Sequence, residues 1–287
     1  MKPQSFDHNG KNLIIRNMTR GELDIAVAWA AQEGWNPGLH DAEAFWAADP
    51  EGYFVAELGG EVVASISAVA YDESFGFMGF YIVKPGYRDQ GIGIRLFHAA
   101  RDYLGNRNTG GDGVVERLED YAREGLFDAY RNIRYEGIGT QESFEKVSDI
   151  ADISFSDLLA YDRQMFPADR ENFLRHWVVQ PEGAALCALH DGCMAGYGVI
   201  RACHTGYKIA PLFADSPEIA DNLFKALSSK AAGNPIFLDI PMPNSAALLL
   251  AKRHNMKPVF ETGRIYSSTP PKLPLDRIFG VTSFELG

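Results

Sequence analysis

The chain has 287 residues, 46% hydrophobic and 23% charged, a length suited to two domains of ordinary size and the balance of a soluble globular protein. Its net charge of −11 makes duplex DNA or RNA a poor partner, because backbone binding needs a basic surface, and mildly favours a cationic small molecule or basic peptide. No apolar run approaches the roughly 20 residues of a membrane span, and Met1–His8 lacks the apolar core of a secretory signal, so the expectation is a cytoplasmic protein with no membrane partner.

In chain order, Thr19-Arg-Gly-Glu22 reads as a capping box, and Leu23, Val27 and Ala30 recur at helical spacing toward Glu33. Gly34, Pro37 and Gly38 end that helix, and a short second helix is expected over about 41–48. Three strands follow: 53–58, 61–69 after a Gly59-Gly60 turn, and 75–83. A Gly-bearing turn then opens an amphipathic helix to about Leu104, with Ile92, Leu96, Ala99, Ala100 and Tyr103 as its buried stripe. A brief strand over 113–115, a helix over 116–123 and a strand over 127–135 complete the first half.

The polar segment 136–143 reads as a linker, and a similar order of elements follows it. Helices are expected over 157–165 and 170–178, strands over 184–190 and 194–202 joined at Asp191-Gly192, and a strand over 206–213. Helix 218–230, strand 235–240, helix 245–255 and strand 259–267 finish the chain. The architecture is duplicated without a short sequence period. Cys187, Cys193 and Cys203 are odd in number and lack CxxC spacing, and the seven histidines are scattered, so neither a disulfide framework nor a metal is expected.

The most informative stretch is Arg88-Asp-Gln-Gly-Ile-Gly93, set between an apolar strand and a helix N-terminus. First-turn amides have no helical partner, and the helix dipole favours an anion there, so the turn is suited to a phosphate or pyrophosphate group. No Gly-Lys-Ser/Thr follows, which excludes a P-loop.

Ile82-Val-Lys-Pro-Gly-Tyr-Arg-Asp-Gln-Gly-Ile-Gly93 resembles the strand-end and Arg/Gln-x-x-Gly-x-Gly/Ala signature of the GNAT superfamily of N-acetyltransferases. Tyr121-Ala-Arg-Glu-Gly-Leu126 is similar to that family's Tyr-x-x-x-Gly-Phe helix end, with Leu126 where Phe is usual. The resemblance implies a mixed α/β (α+β) fold of two GNAT-like domains, residues 1–140 and 147–287, each a mostly antiparallel twisted sheet flanked by helices. It implies acetyl-CoA as co-substrate, with the amides from Gln90 to Ile94 on the pyrophosphate, Arg88 near a phosphate or paired with a scaffold acid, and Tyr81, Ile82 and Val83 along the pantetheine arm. Asp89, Gln90, Gly91, Ile92, Gly93 and Ile94 are thus cofactor-binding candidates.

The implied reaction moves acetyl to a primary amine of a small molecule or amino acid-like acceptor. Tyr121 corresponds to the general acid that protonates the CoA sulfur, or merely packs on the helix before it. Glu33 is the candidate base, because a negative charge at a helix C-terminus is unfavourable and asks for a reason; Asp72 and Glu73 are rivals. Trp35, Asn36 and His40 share its loop and are candidates for the acceptor site. The second half carries Ala214-Asp-Ser-Pro-Glu218 in place of the glycine turn, and Ala251 where the acid would stand. It is expected to buttress the first domain and wall the acceptor pocket, with His176, Trp177, Tyr207 and Lys208 as contributors. A non-catalytic acyl-CoA-binding regulatory module and a protein lysine or N-terminal acetyltransferase are the alternatives, and a homodimer is left open.

Overall fold

The structure, a computed structural model, describes residues 2–287. The first half comprises β1 (Gln4–His8), β2 (Lys11–Asn17), α1 (Arg20–Gln32), α2 (Asp41–Ala48), β3 (Tyr53–Leu58), β4 (Glu61–Ala70), β5 (Phe75–Val83), α3 (Ile92–Leu104), β6 (Asn108–Val114), α4 (Leu118–Arg123) and β7 (Phe127–Ile138). The second comprises β8 (Val147–Asp149), α5 (Phe155–Met165), α6 (Glu171–Trp177), β9 (Gly183–His190), β10 (Cys193–Ala202), β11 (Tyr207–Ala214), α7 (Pro217–Ser229), β12 (Pro235–Pro241), α8 (Ser245–Arg253), β13 (Lys257–Tyr266) and β14 (Ile278–Gly280). The mixed α/β fold, with a mostly antiparallel sheet flanked by helices, is the one expected. Among the described residues no helix is long and apolar enough to cross a membrane.

Local chemistry sets the boundaries. The capping box forms as read: the Thr19 hydroxyl accepts from the Glu22 amide, and the Glu22 carboxylate accepts from the Thr19 amide at 2.8 Å. The hairpin β1–β2 was not expected, although Asn9 and Gly10 take the two positive φ values, 54° and 77°, of a tight hairpin turn. β6 begins five residues earlier than expected, because Gly110, Gly111 and Gly113 hide its alternation. The segment read as a linker is still strand through Ile138, paired with β12, and Gly139 bridges to Ala232.

All strands except β14 run through one sheet in the order β1-β2-β3-β4-β5-β6-β13-β7-β12-β11-β10-β9-β8. The halves exchange a strand at the seam. β13 of the second half lies between β6 and β7, while β7 of the first half pairs with β12. Among the described residues the parallel strand pairs are β5–β6 and β11–β12, each bridged by a crossover helix, α3 and α7. That shared β-α-β unit is the clearest trace of the duplication.

Both parallel pairs splay. β5 and β6 pair only from Phe75–Met78 to Asn108–Gly111. Beyond Met78 the β4–β5 register slips between Ser65 and Ser67, Phe80 adopts φ 48°, and the Ser65 hydroxyl donates to the Phe80 carbonyl at 2.9 Å. β5 therefore bends off β6 and leaves a wedge. In the second half, β11 and β12 pair only over Tyr207–Ile209 and Ile236–Leu238, and β14 then binds β11 at Leu212 and Phe213. That wedge is filled by the chain itself.

Beyond β14, residues 281–287 are buried and cross toward the first half. The Val281 amide donates to the Asp239 carbonyl, and the Tyr71 hydroxyl donates to the Leu286 carbonyl. The closest approach is at Gly79, where an added Cβ would lie 2.0 Å from the Glu285 carbonyl oxygen. Gly79→Ala is accordingly expected to displace the tail; limited carboxypeptidase digestion should then release residues that stay protected in the parent chain. Equal protection in both proteins would contradict this packing.

Candidate active site

The open wedge of the first half continues into a cavity of about 590 Å³. One wall is β5 from Met78 to Val83, the opposite wall is β6 from Gly111 to Val114, and α3 and α4 border it through Gly91, Gly93 and Tyr121. The second half closes it with Phe260, Thr262, Phe284 and Glu285.

Three features along this path are built from sequence-local chemistry. Gly91 caps α3 at φ 77° and offers no side chain, so the first-turn amides of α3 have no acceptor from their own cap. At the equivalent helix, α7, Ser216 is the cap and its hydroxyl accepts from the Ile219 amide, with Pro217 in the first turn. Gly93 is small for packing: a Cβ there would meet the Tyr81 hydroxyl at 2.7 Å and Val83 at 3.0 Å, which sets the start of α3 beside the outer end of β5. The edge of β5 is the third feature. Lys84 donates to the Val63 carbonyl on the β4 side, so by alternation the Val83 amide faces the wedge.

Tyr121 is seated by the end of α4. Gly125 adopts φ 86°, the Leu126 amide donates to the Tyr121 carbonyl at 2.9 Å, and the Gly125 amide donates to the Ala122 carbonyl at 3.1 Å. This Schellman closure explains the Gly and apolar residue of the Tyr-x-x-x-Gly-Leu pattern: Gly supplies the left-handed turn, and buried Leu126 pins it. Burial pushes the Tyr121 phenol up to about 12, so it is protonated at neutral pH and able to donate.

Of the residues expected at the site, Tyr81, Ile82, Val83, Arg88, Asp89, Gly91, Gly93, Ile94, Tyr121, Glu33 and Trp35 all border the cavity. The Gln90 side chain instead donates to the Gly86 carbonyl, and Ile92 points into the core between α3 and the sheet. Glu33 accepts from Arg88 Nη2 at 2.5 Å, so the acid and the guanidinium are partners in an exposed ion pair. Asn36 and His40 are not on the cavity: Asn36 exchanges two 2.9 Å hydrogen bonds with the Thr205 backbone, and His40 meets Glu182 at 3.2 Å. Both tie the α1–α2 loop to the second half. Asp72 accepts from the Ser74 and Phe75 amides and serves its own turn, and Glu73 is exposed. The Trp177 indole is buried and donates to the Ala210 carbonyl, and His176 sits on its own helix against the Asn172 carbonyl.

Sequence reasoning missed Asp112, Arg117, Phe260, Thr262, Phe284 and Glu285. Asp112 had a signal, an acid among the glycines of β6. It accepts from both Arg264 Nε and Nη2, at 3.1 and 2.7 Å, and from the Asn132 amide at 2.7 Å. Below the cavity lies a second set of buried charges. Arg134 donates to both Asp239 oxygens at 2.7 and 2.8 Å and to the Trp35 carbonyl at 2.6 Å. Arg201 donates to Asp41 at 2.7 and 3.1 Å. Burial alone would raise the Asp239 carboxyl, but the cations around it, Arg134 first and then Lys208 and Arg201, hold it below the usual range.

A sequence profile of the acetyltransferase (GNAT) family matches residues 22–123, and one of an acetyltransferase (GNAT) domain matches residues 158–280. A protein of Pseudoalteromonas sp. (strain SANK 73390) named holothin acyltransferase is 30% identical over 270 residues, covering 93% of this chain and 92% of that protein. The chain belongs to the GNAT family and is an acyltransferase with two GNAT domains in tandem. Among solved structures, one named "A Putative Acetyltransferase" from Pyrococcus horikoshii aligns with a TM-score of 0.84 over 100% of this chain and 99% of that one, at 22% identity. A tandem GNAT protein from the clavulanic acid biosynthesis pathway aligns with a TM-score of 0.63 over 91% and 99% of the two chains, at 14% identity. Both show the fold.

Proposed function

We propose that the protein transfers acetyl directly from acetyl-CoA to the primary amine of a small acceptor, in the first-half cavity. The observation that carries this reading is the contrast between the two wedges. The first has an open β5 edge and an α3 without a side-chain cap; the second has β14 on the β11 edge and Ser216 capping α7. A strand-like pantetheine arm and a pyrophosphate fit the first and are excluded by the second. Acetyl-CoA supplies an activated thioester. The residues do the rest: first-turn amides of α3 bind the diphosphate, the β5 edge orients the arm, and Tyr121 gives a proton to the leaving sulfur.

Walls from both halves around a cavity of about 590 Å³ favour a small acceptor over a protein chain. The relative named holothin acyltransferase supports acyl transfer as the reaction of this tandem architecture. Free-thiol release from acetyl-CoA against panels of amino acids, polyamines, aminoglycosides and aromatic monoamines tests the reading. Release with at least one small amine is expected. Tight CoA binding without release for any acceptor would point to a non-catalytic, regulatory module.

A further inference from the structure

We infer that the second half contributes the amine subsite of this cavity, with Glu285 as its proton acceptor, and that the subsite takes a compact primary amine with an apolar or aromatic body. The inference rests on the acetyl-transfer reading and adds the identity of the base and the class of acceptor.

The tail brings the main chain of Glu285 against Gly79, the residue just past the last β5–β6 pair, which is the apex of the wedge. A coenzyme arm that enters at α3 meets Val83 first and runs toward this apex, because the start of α3 abuts Tyr81 and Val83. Glu285 is 2% exposed and borders the cavity, yet its Oε1 is buried without a hydrogen-bond partner among the described residues. A buried carboxylate oxygen without a partner is destabilising, and a bound ammonium would satisfy it. The other buried acid on the cavity, Asp112, is saturated by Arg264, Asn132 and Thr262. Glu33 is held by Arg88. Of the two buried acids on the cavity, Glu285 is the one left with acceptor capacity.

Its surroundings suit the role. The charged groups that act on it are Lys208 of β11, Arg134 of β7, Asp41 of α2 and Arg201 of β10. Arg134 and Arg201 are already committed to Asp239 and Asp41. Burial raises the Glu285 carboxyl, and Lys208 and Arg134 offset only part of that, which moves the base toward neutral pH where proton acceptance is most effective. Trp35, Phe80, Phe260 and Phe284 supply apolar and aromatic walls, favouring an amine with one charged end over a polyamine. In the reaction, Glu285 takes one proton from the ammonium and frees the nitrogen lone pair. The C–N bond forms as the C–S bond breaks, Tyr121 delivers its proton to the departing sulfur, and the second proton lost by the nitrogen passes through solvent to the tyrosinate and restores the phenol. Glu285 returns its proton to solvent, giving amide, CoA thiol and one net proton.

The test compares parent and Glu285→Gln proteins in thiol release with acetyl-CoA, using benzylamine and spermidine, from below neutral pH up to the amine pKa. At neutral pH, kcat should fall about a hundred- to ten-thousand-fold in the variant. Acetyl-CoA affinity should be unchanged, the deficit should narrow as the amine deprotonates by itself, and the parent should prefer benzylamine in kcat/KM. Unchanged kcat, a deficit constant with pH, or a preference for spermidine would overturn the inference while leaving acetyl transfer standing. Should the variant not fold, the parent's kcat/KM profile decides: a rising limb fixed across ring-substituted benzylamines supports Glu285, and one that tracks each amine's own pKa overturns it. A parent inert toward every amine despite binding CoA removes the acetyl-transfer reading, and this inference with it.

Discussion

Tyr121→Phe is expected to lower kcat by about a hundred- to ten-thousand-fold while leaving acetyl-CoA affinity nearly unchanged, because it deletes a donor used only as the thiolate departs. The phenol is protonated at neutral pH, with burial pushing it up to about 12, and it borders the cavity opposite β5. Phe keeps the ring that packs against Gly113, where a Cβ would stand 2.7 Å from Tyr121 Cε2, so the fold should survive. Steady-state kinetics with calorimetric titration of CoA separates the two quantities. A variant with full turnover would leave Tyr121 as a packing residue only.

Asp239→Ala should cost about 3–5 kcal/mol in urea denaturation, the largest stability effect anticipated, because it strands the buried guanidinium of Arg134. Arg134 is 2% exposed and Asp239 is fully buried. Without the carboxylate, Arg134 keeps one bond to the Trp35 carbonyl and the flanking rings of Phe284 and Phe260, at 5.0 and 5.8 Å. The pair joins β7 to β12, where a strand of the first half lies in the second, so its loss should also loosen the seam beneath the cavity. A double change to Arg134→Met and Asp239→Leu should recover much of the loss, since no charge is then left uncompensated. A cost below about 1 kcal/mol for the single change would contradict a dry, paired seam.

What was legible in the sequence was whatever local rules specify. The capping box at Thr19, the turn at Gly91 and the helix end at Gly125 each need particular residues at fixed spacing, and each formed as read. The hairpin at Asn9-Gly10 was legible too, but its strands are half polar and β1 forms the sheet edge, where alternation is weak. The exchange of β7 and β13 had no local signal, because either strand satisfies its own pattern beside either neighbour. The same holds for the tail: Thr282-Ser-Phe-Glu285 reads as an ordinary polar end, and only the fold brings it to Gly79. Non-local pairing therefore concealed the buried side of the site while the turn on its outer side stood in plain view. Asn36 and His40 were assigned to the acceptor by loop proximity alone, yet the Asn36 amide is spent on the Thr205 backbone and His40 Nε2 meets Glu182.

The most direct measurement is a crystal structure of the protein soaked with coenzyme A. The diphosphate is expected against the first-turn amides of α3, with the pantetheine along the β5 edge from Val83 toward Gly79 and the wedge filled by β14 unchanged. Density in the second half, or coenzyme elsewhere with the α3 turn vacant, would contradict it.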